Sequence, residues 1–192
     1  ELGLKPSVTT TLRARDAFRN GAATMRSDLG VVHHPDGSGT LAFALMLTTG
    51  PDAALLHRVA QARTGTTSKL LFVRPTLARG LRPRVGRLSV SVDGVELADT
   101  QRGCLIVAVG PRYPLKLDLA RHATRTDGLL DGMFLPASTT ASLLGWVALA
   151  RVGLHVKHPK ARYAQGRRIE FTMHDHDPNA EMIEDLQIDG EI

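Results

Sequence analysis

Five Asp-Gly pairs, at residues 36, 93, 127, 131 and 189, cut the chain into short apolar or alternating runs. Glycine enters the positive-φ region without a steric penalty and aspartate tolerates it, so the default structure of each pair is a tight turn. Tight turns join antiparallel strands, whereas parallel strands need a crossover of a dozen or more residues. The flanking runs fit that reading. Residues 28–34 (DLGVVHH) and 41–49 (LAFALMLTT) enclose Pro35-Asp36-Gly37-Ser38-Gly39, and residues 87–92 (RLSVSV) return through 95–97 after Asp93-Gly94. Both are hairpin signatures. Residues 104–109 (CLIVAV) form a continuous apolar run, suited to a strand covered on both faces. Residues 113–119, 129–135, 168–174 and the Gln187-Ile188 pair complete the strand signals.

Helical spacing occurs at residues 8–20, with Gly21 where a C-cap would sit, and at 52–64, 68–81 and 138–152. Pro75 should kink the third of these, and the fourth is expected to be amphipathic and carries Trp146. Eighteen glycines, ten prolines and eight aromatic residues suit many short elements around an aliphatic core. There is no repeat, no low-complexity linker and no strand-helix-strand rhythm. The expected fold is therefore mainly β with helices (α+β), an antiparallel β-sandwich-like domain with a few packed helices. It forms a single domain over 1–192, with 28–192 as the sandwich.

The single Cys104 excludes an internal disulfide framework and fits a reducing, cytoplasmic setting. The longest apolar stretch, residues 141–150, is shorter than the ~20 residues a spanning helix needs. The first residues, ELGLKP, lack the charged-then-apolar pattern of a leader and read as the interior of a longer chain.

Charge is polarised: residues 1–126 carry 18 Lys/Arg against 9 Asp/Glu, and residues 127–192 carry 6 against 10. Two basic runs stand out, one at Arg74, Arg79, Arg82, Arg84 and Arg87, the other at Arg151, Lys157, Lys160, Arg162, Arg167 and Arg168. A solvated basic face is the plain reading, and contact with phosphates or an anionic membrane surface is the functional one. The Arg series and the Trp146 helix could form such an interfacial face. The runs lack interleaved aromatics, so nucleic-acid binding is not expected.

Neither common glycine-rich phosphate cradle occurs. Asp127 offers one carboxylate beside backbone carbonyls on a turn, enough for Mg²⁺, which keeps several waters. Asp189 and Glu191 are two residues apart and share one face of an extended segment. A carboxylate there can take a proton from a hydroxyl nucleophile. The His174-Asp175-His176-Asp177 run resembles a ligand set but lies in a segment with seven acids and no Lys or Arg from 175 to 191, which favours a solvated acidic loop. His33, His34 and His155 read as ordinary strand or helix-end residues, and Cys104 as inert core.

The order of LSVSVDG (88–94), LIVAVG (105–110), ATRTDGLLD (123–131), Gly153-Leu154-His155 and Ile188-Asp189-Gly190-Glu191 resembles the C-terminal domain of the diacylglycerol kinase-like lipid kinases. That family includes sphingosine kinases and bacterial phosphatidylglycerol kinases, with NAD kinases as distant relatives. Residues 1–27 look like the link out of the family's first domain. The resemblance implies a two-domain enzyme using ATP and Mg²⁺ to phosphorylate a hydroxyl of a diacylglycerol-like or sphingoid lipid. Its nucleotide-binding first domain carries a Gly-Gly-Asp-Gly-Thr signature that this chain lacks. By the same resemblance Glu191 is the general base, and Asp189 and Gly190 lie beside the nucleotide. Asp127, with carbonyls at Thr124 and Leu129, holds a structural Mg²⁺. The domain alone is expected to be inactive, its partners being the first domain, the lipid and an anionic membrane surface, with a homodimer left open. Pro114-Leu115-Lys116 and Thr126 depart from the family pattern and allow the alternative, a non-catalytic lipid- or protein-binding domain on the same scaffold.

Overall fold

The computed structural model describes residues 15–16, 18–21, 24, 26–33, 37, 39–50, 85–111, 119–174 and 186–189. The expected helices at 52–64 and 68–81, most of the 113–119 run, the 175–185 loop, Gly190 and Glu191 lie outside them. Arg15, Asp16, Phe18 and Arg19 are helical and Gly21 follows at φ 75°, in line with a short opening helix. The strands are β1 (Gly30–His33), β2 (Thr40–Phe43), β3 (Met46–Thr49), β4 (Arg87–Val92), β5 (Val95–Ala108), β6 (Leu130–Pro136), β7 (Arg162–Gly166), β8 (Ile169–Met173) and β9 (Leu186–Ile188). Helix α1 (Thr140–Arg151) and a 3-10 turn (His155–Lys157) separate β6 from β7.

Every strand pair among the described residues is antiparallel. β1 and β2 make a separate hairpin, while β7-β6-β5-β3-β9 form a sheet that β4 and β8 join through β5. The molecule is thus the antiparallel β-sandwich-like α+β domain that the turn pattern predicts. β5 links the two layers by changing partners along its length. Its first part pairs with β4, from Val95↔Val92 to Arg102↔Arg87, and its second with β3 and β6. Register shifts between Leu88 and Ser91 mark the bend, and Thr100 sits there at φ 47°, a conformation costly for a β-branched residue. The Thr100 amide donates to Ser89 Oγ at 3.0 Å, which helps hold it.

Alternation along the shared strand divides the core in two. Leu105 and Val107 point into a cluster with Leu47, Leu88, Val90, Val92 and Phe134, between the layers. Ile106 and Ala108 point the other way, towards Met46, Met133, Leu135, Trp146 and Ala150, where α1 covers the sheet. The 104–109 run is therefore covered on both faces, as its unbroken apolarity predicts. Phe134 and Leu105 are fully buried, each contributing about 2 kcal/mol by removal from water.

The turn chemistry holds at Asp93-Gly94, where φ values of 48° and 81° match the mirror-image turn of a two-residue hairpin. The Asp93 carboxylate also accepts the Arg167 and Arg168 amides, at 3.1 and 2.8 Å, tying the β7–β8 connection to this turn. Asp131-Gly132 departs from expectation: it lies inside β6 and makes no turn. A Cβ on Gly132 would come within 3.0 Å of Ile169 Cδ1 and 3.4 Å of Val92 Cγ2, so this glycine serves close packing of the layers. The expected single strand over 41–49 is also broken, because Ala44 and Leu45 bend away between β2 and β3. β7 had no sequence signal, its RYAQG lacking an apolar alternation.

Helix α1 begins with a reciprocal cap. Thr139 Oγ1 accepts the Ser142 amide at 3.2 Å and Ser142 Oγ accepts the Thr139 amide at 3.1 Å. Thr139→Ala is expected to cost about 1 kcal/mol, seen as a melting temperature lower by about 3 °C. Trp146 faces inward, donating Nε1–H to the Pro136 carbonyl at 2.7 Å and packing edge-on to His158. It is a core residue, so any interfacial contact of this helix falls to its other side. His155 is fully buried, with Nε2 2.8 Å from the Leu119 carbonyl oxygen, as suits a residue closing a helix end.

Candidate functional site

Asp189 follows β9 with φ 52°, in the left-handed region that aspartate tolerates. Its carboxylate is directed at the β2–β3 connection. Oδ2 accepts the Ala44 amide at 2.7 Å, and Oδ1 accepts those of Leu45 and Met46 at 2.7 and 2.9 Å. In return the Asp189 amide donates to the Met46 carbonyl at 2.8 Å. A bend presenting three successive N–H groups makes a concave anion site, here filled by the chain's own side chain. This explains why the run over 41–49 cannot stay straight. The Asp189 carboxylate therefore fixes the point from which the chain continues to Gly190 and Glu191.

The second acidic turn is built from two distant segments. Asp127 Oδ1 accepts the Leu129 amide at 3.1 Å, a local turn that leaves Gly128 at φ 71°. Asp28, 100 residues earlier, accepts the Gly128 amide on Oδ2 at 2.7 Å and donates its own amide to the Arg125 carbonyl at 2.7 Å. Asp28 thus becomes a second carboxylate on this turn. No local motif marks it, since only the folded chain brings the two segments together. Thr124 and Asp127 are exposed and Leu129 is half-buried. Among the described residues no three His, Cys, Asp or Glu side chains converge. Asp127, Asp28 and the turn's carbonyls offer oxygen atoms alone, the ligand type that a hard cation takes.

Both turns border one open groove, lined by Asp28, Gly128, Leu129, Leu130, Ile188 and Asp189. Its walls are the β1–β2 hairpin and the β4–β8 pair. Gly30 leaves room for the Phe43 ring of the paired strand: a Cβ there would overlap that ring, which is part of the core.

Just behind the 127 turn, Asp131 is buried on β6. Tyr163 on β7 donates its hydroxyl to Asp131 Oδ1, and the Gln165 amide donates to the same oxygen at 3.2 Å. Burial pushes the Asp131 carboxyl above the usual carboxylate range, these hydrogen bonds only partly opposing it, and the nearby Asp127 charge adds to the rise. The Tyr163 phenol is pushed up by burial and by Asp131. Because the folded state holds the Asp131 proton more tightly than the unfolded state, its contribution is fully present below pH ~4 and is lost as pH rises through the folded value. Asp131→Asn should therefore gain on the parent protein as pH rises from about 4 to 7, read as a growing melting-temperature difference. A difference that stays flat would refute the assignment.

Elsewhere, His174 Nε2 lies 2.8 Å from Ser89 Oγ, and Asp175, His176 and Asp177 lie outside the described residues. Cys104 is half-buried rather than core, against Gly50, whose added Cβ would sit 3.2 Å from its sulfur. No helix among the described residues is long and apolar enough to cross a membrane.

Residues 46–192 match the family described as the YegS C-terminal NAD kinase beta sandwich-like domain. No curated protein matches the chain. Among solved structures, it is similar to a candidate diacylglycerol kinase from Bacillus anthracis str. Sterne, at a TM-score of 0.54 and 10% identity, over 87% of this chain and 50% of that one. The chain spans about half the length of that protein, and at this identity the likeness is one of fold.

Proposed function

The chain belongs to the family of YegS C-terminal NAD kinase beta sandwich-like domains, and on that premise we propose that it is the second domain of an ATP-dependent lipid kinase. The reaction moves the γ-phosphoryl group of ATP to a hydroxyl of a diacylglycerol-like or sphingoid lipid. The observation that carries this reading is a single groove lined by Asp28 and Gly128 at one turn and by Asp189 at the other. The fold likeness to a protein named as a candidate diacylglycerol kinase supports it.

In this reading the lipid hydroxyl oxygen attacks the γ-phosphorus, the bond to the β–γ bridging oxygen breaks, and ADP leaves. The hydroxyl proton passes to the Glu191 carboxylate, which must lie within hydrogen-bond reach of the acceptor. Asp189 positions that step by anchoring the turn to residues 44–46, while its backbone and Gly190 border the nucleotide. Asp127 and Asp28, with the carbonyls of Thr124 and Leu129, would hold Mg²⁺, whose charge would brace this wall of the groove. The nucleotide phosphates are held by the family's first domain, so the 192 residues alone are expected to be inactive.

The test is radiolabelled phosphate transfer from ATP to diacylglycerol or sphingosine in mixed micelles, by the full-length protein with Mg²⁺. Label in the lipid is the expected result. No label with either lipid, from a protein that still binds ATP, would leave a non-catalytic binding domain on this scaffold.

A further inference from the structure

Helix α1 lacks a polar outer face. Its inward side, Leu143, Trp146, Leu149 and Ala150, packs on the sheet, as any surface helix must arrange. The opposite side should then be charged, yet it carries Ala141, Leu144, Gly145, Val147 and Ala148, with Arg151 as its charged member. Leu144 is 58% exposed and Val147 47%. The apolar surface continues past the helix end into Val152 and Leu154, 65% and 49% exposed.

Among the described residues the rim of this surface is cationic. Arg121 donates to the Gly153 carbonyl at 3.2 Å, which places it at the helix C-terminus beside Arg151. The His158 ring packs on Trp146 at 4.8 Å, and the Lys160 amide donates to His158 Nδ1 at 3.2 Å. Those contacts bring Lys157 and Lys160, both exposed, alongside the helix. From Gly132 to Ile169 the sequence contains no Asp or Glu. An apolar strip rimmed, among the described residues, by Lys and Arg is complementary to a bilayer surface bearing anionic headgroups. A water-facing helix would carry charged and polar residues along this side.

We propose that the outer face of α1, with Val152, Leu154, Arg121, Arg151, Lys157 and Lys160, docks the protein on an anionic lipid bilayer. The helix lies flat, with Leu144, Val147 and Val152 entering the headgroup boundary and the cations at phosphate level. This face is on the opposite side of the shared sheet from the inter-layer core. The inference goes beyond the lipid-kinase reading and does not depend on it, since the binding can be measured without any phosphoryl transfer.

The test is co-sedimentation of the full-length protein with vesicles of phosphatidylcholine alone and of equal parts phosphatidylcholine and phosphatidylglycerol. Partition into the anionic vesicles only, weakened by salt, is expected. Each basic side chain at an anionic surface is worth about fivefold in partition, so Lys157→Gln with Lys160→Gln should lower it about 30-fold. Leu144→Ser with Val152→Ser should lower it about tenfold. Both pairs are exposed, so unchanged melting temperatures identify the losses as surface effects. No partition, equal partition into both vesicles, or partition indifferent to both pairs overturns the proposal. So does self-association abolished by Leu144→Ser with Val152→Ser, which would assign the face to a second copy of the chain. Vesicle binding without lipid phosphorylation would retain the docking face and remove the kinase reading.

Discussion

Asp189→Ala is expected to lower the melting temperature by roughly 10 °C. The carboxylate accepts three backbone amides, at 2.7, 2.7 and 2.9 Å, two of them partly buried. Hydrogen bonds to a charged acceptor are about twice as strong as neutral ones, and removing the acceptor leaves the donors unmet. These losses are not additive, and about 3 kcal/mol is a reasonable total. For a domain of this size each kcal/mol moves the midpoint by about 3 °C. Asp189→Asn keeps a side chain suited to φ 52° and one accepting oxygen, and should lose about half as much. Thermal melts of the three proteins, with amide exchange at residues 44–46, check both the size and the place of the effect. An alanine variant that melts with the parent would show that the clasp is dispensable.

Two residues further on, Glu191→Gln should behave in the opposite way in the full-length protein. If Glu191 takes the lipid hydroxyl proton, the amide replacement should lower kcat for lipid phosphorylation by about 10² to 10⁴-fold. Because the proton moves only in the transition state, the KM for ATP should change little, and kcat/KM should fall with kcat. The melting temperature should stay at that of the parent. Undiminished turnover would remove Glu191 from the chemistry; a large fall in stability would make it a second clasp. The pair of variants thus separates an acid that builds the turn from one that works on it.

The strands at 87–92 and 104–109 were legible because period-two alternation and unbroken apolarity each reflect how many faces a strand buries. Asp93-Gly94 was legible because the turn needs its chemistry locally. Other features depended on neighbours distant in sequence. Asp131-Gly132 reads as a turn until Val92 and Ile169 are known to press on its glycine. Asp28 reads as part of a connecting link until it is seen holding the Gly128 amide. The break at Ala44-Leu45 is invisible because its cause, Asp189, is 144 residues from Leu45. Of the site, the sequence marked Asp127 and Asp189, while the buried Asp131–Tyr163 pair emerged only when β6 and β7 were brought side by side.

The pairing of β3 with β9, in which Leu47 faces Ile188, also governs how the protein is made. During synthesis β3 can meet β5 as soon as that hairpin-rich stretch has left the ribosome, but its other edge stays open until residues 186–189 emerge. An unpaired strand edge of four buried residues invites association with other nascent chains. Contacts of such long sequence separation are also slow to form. Closure of the sheet and clasping of the 44–46 amides are therefore expected together and late in folding, and a ribosome stalled before residue 186 should expose that edge.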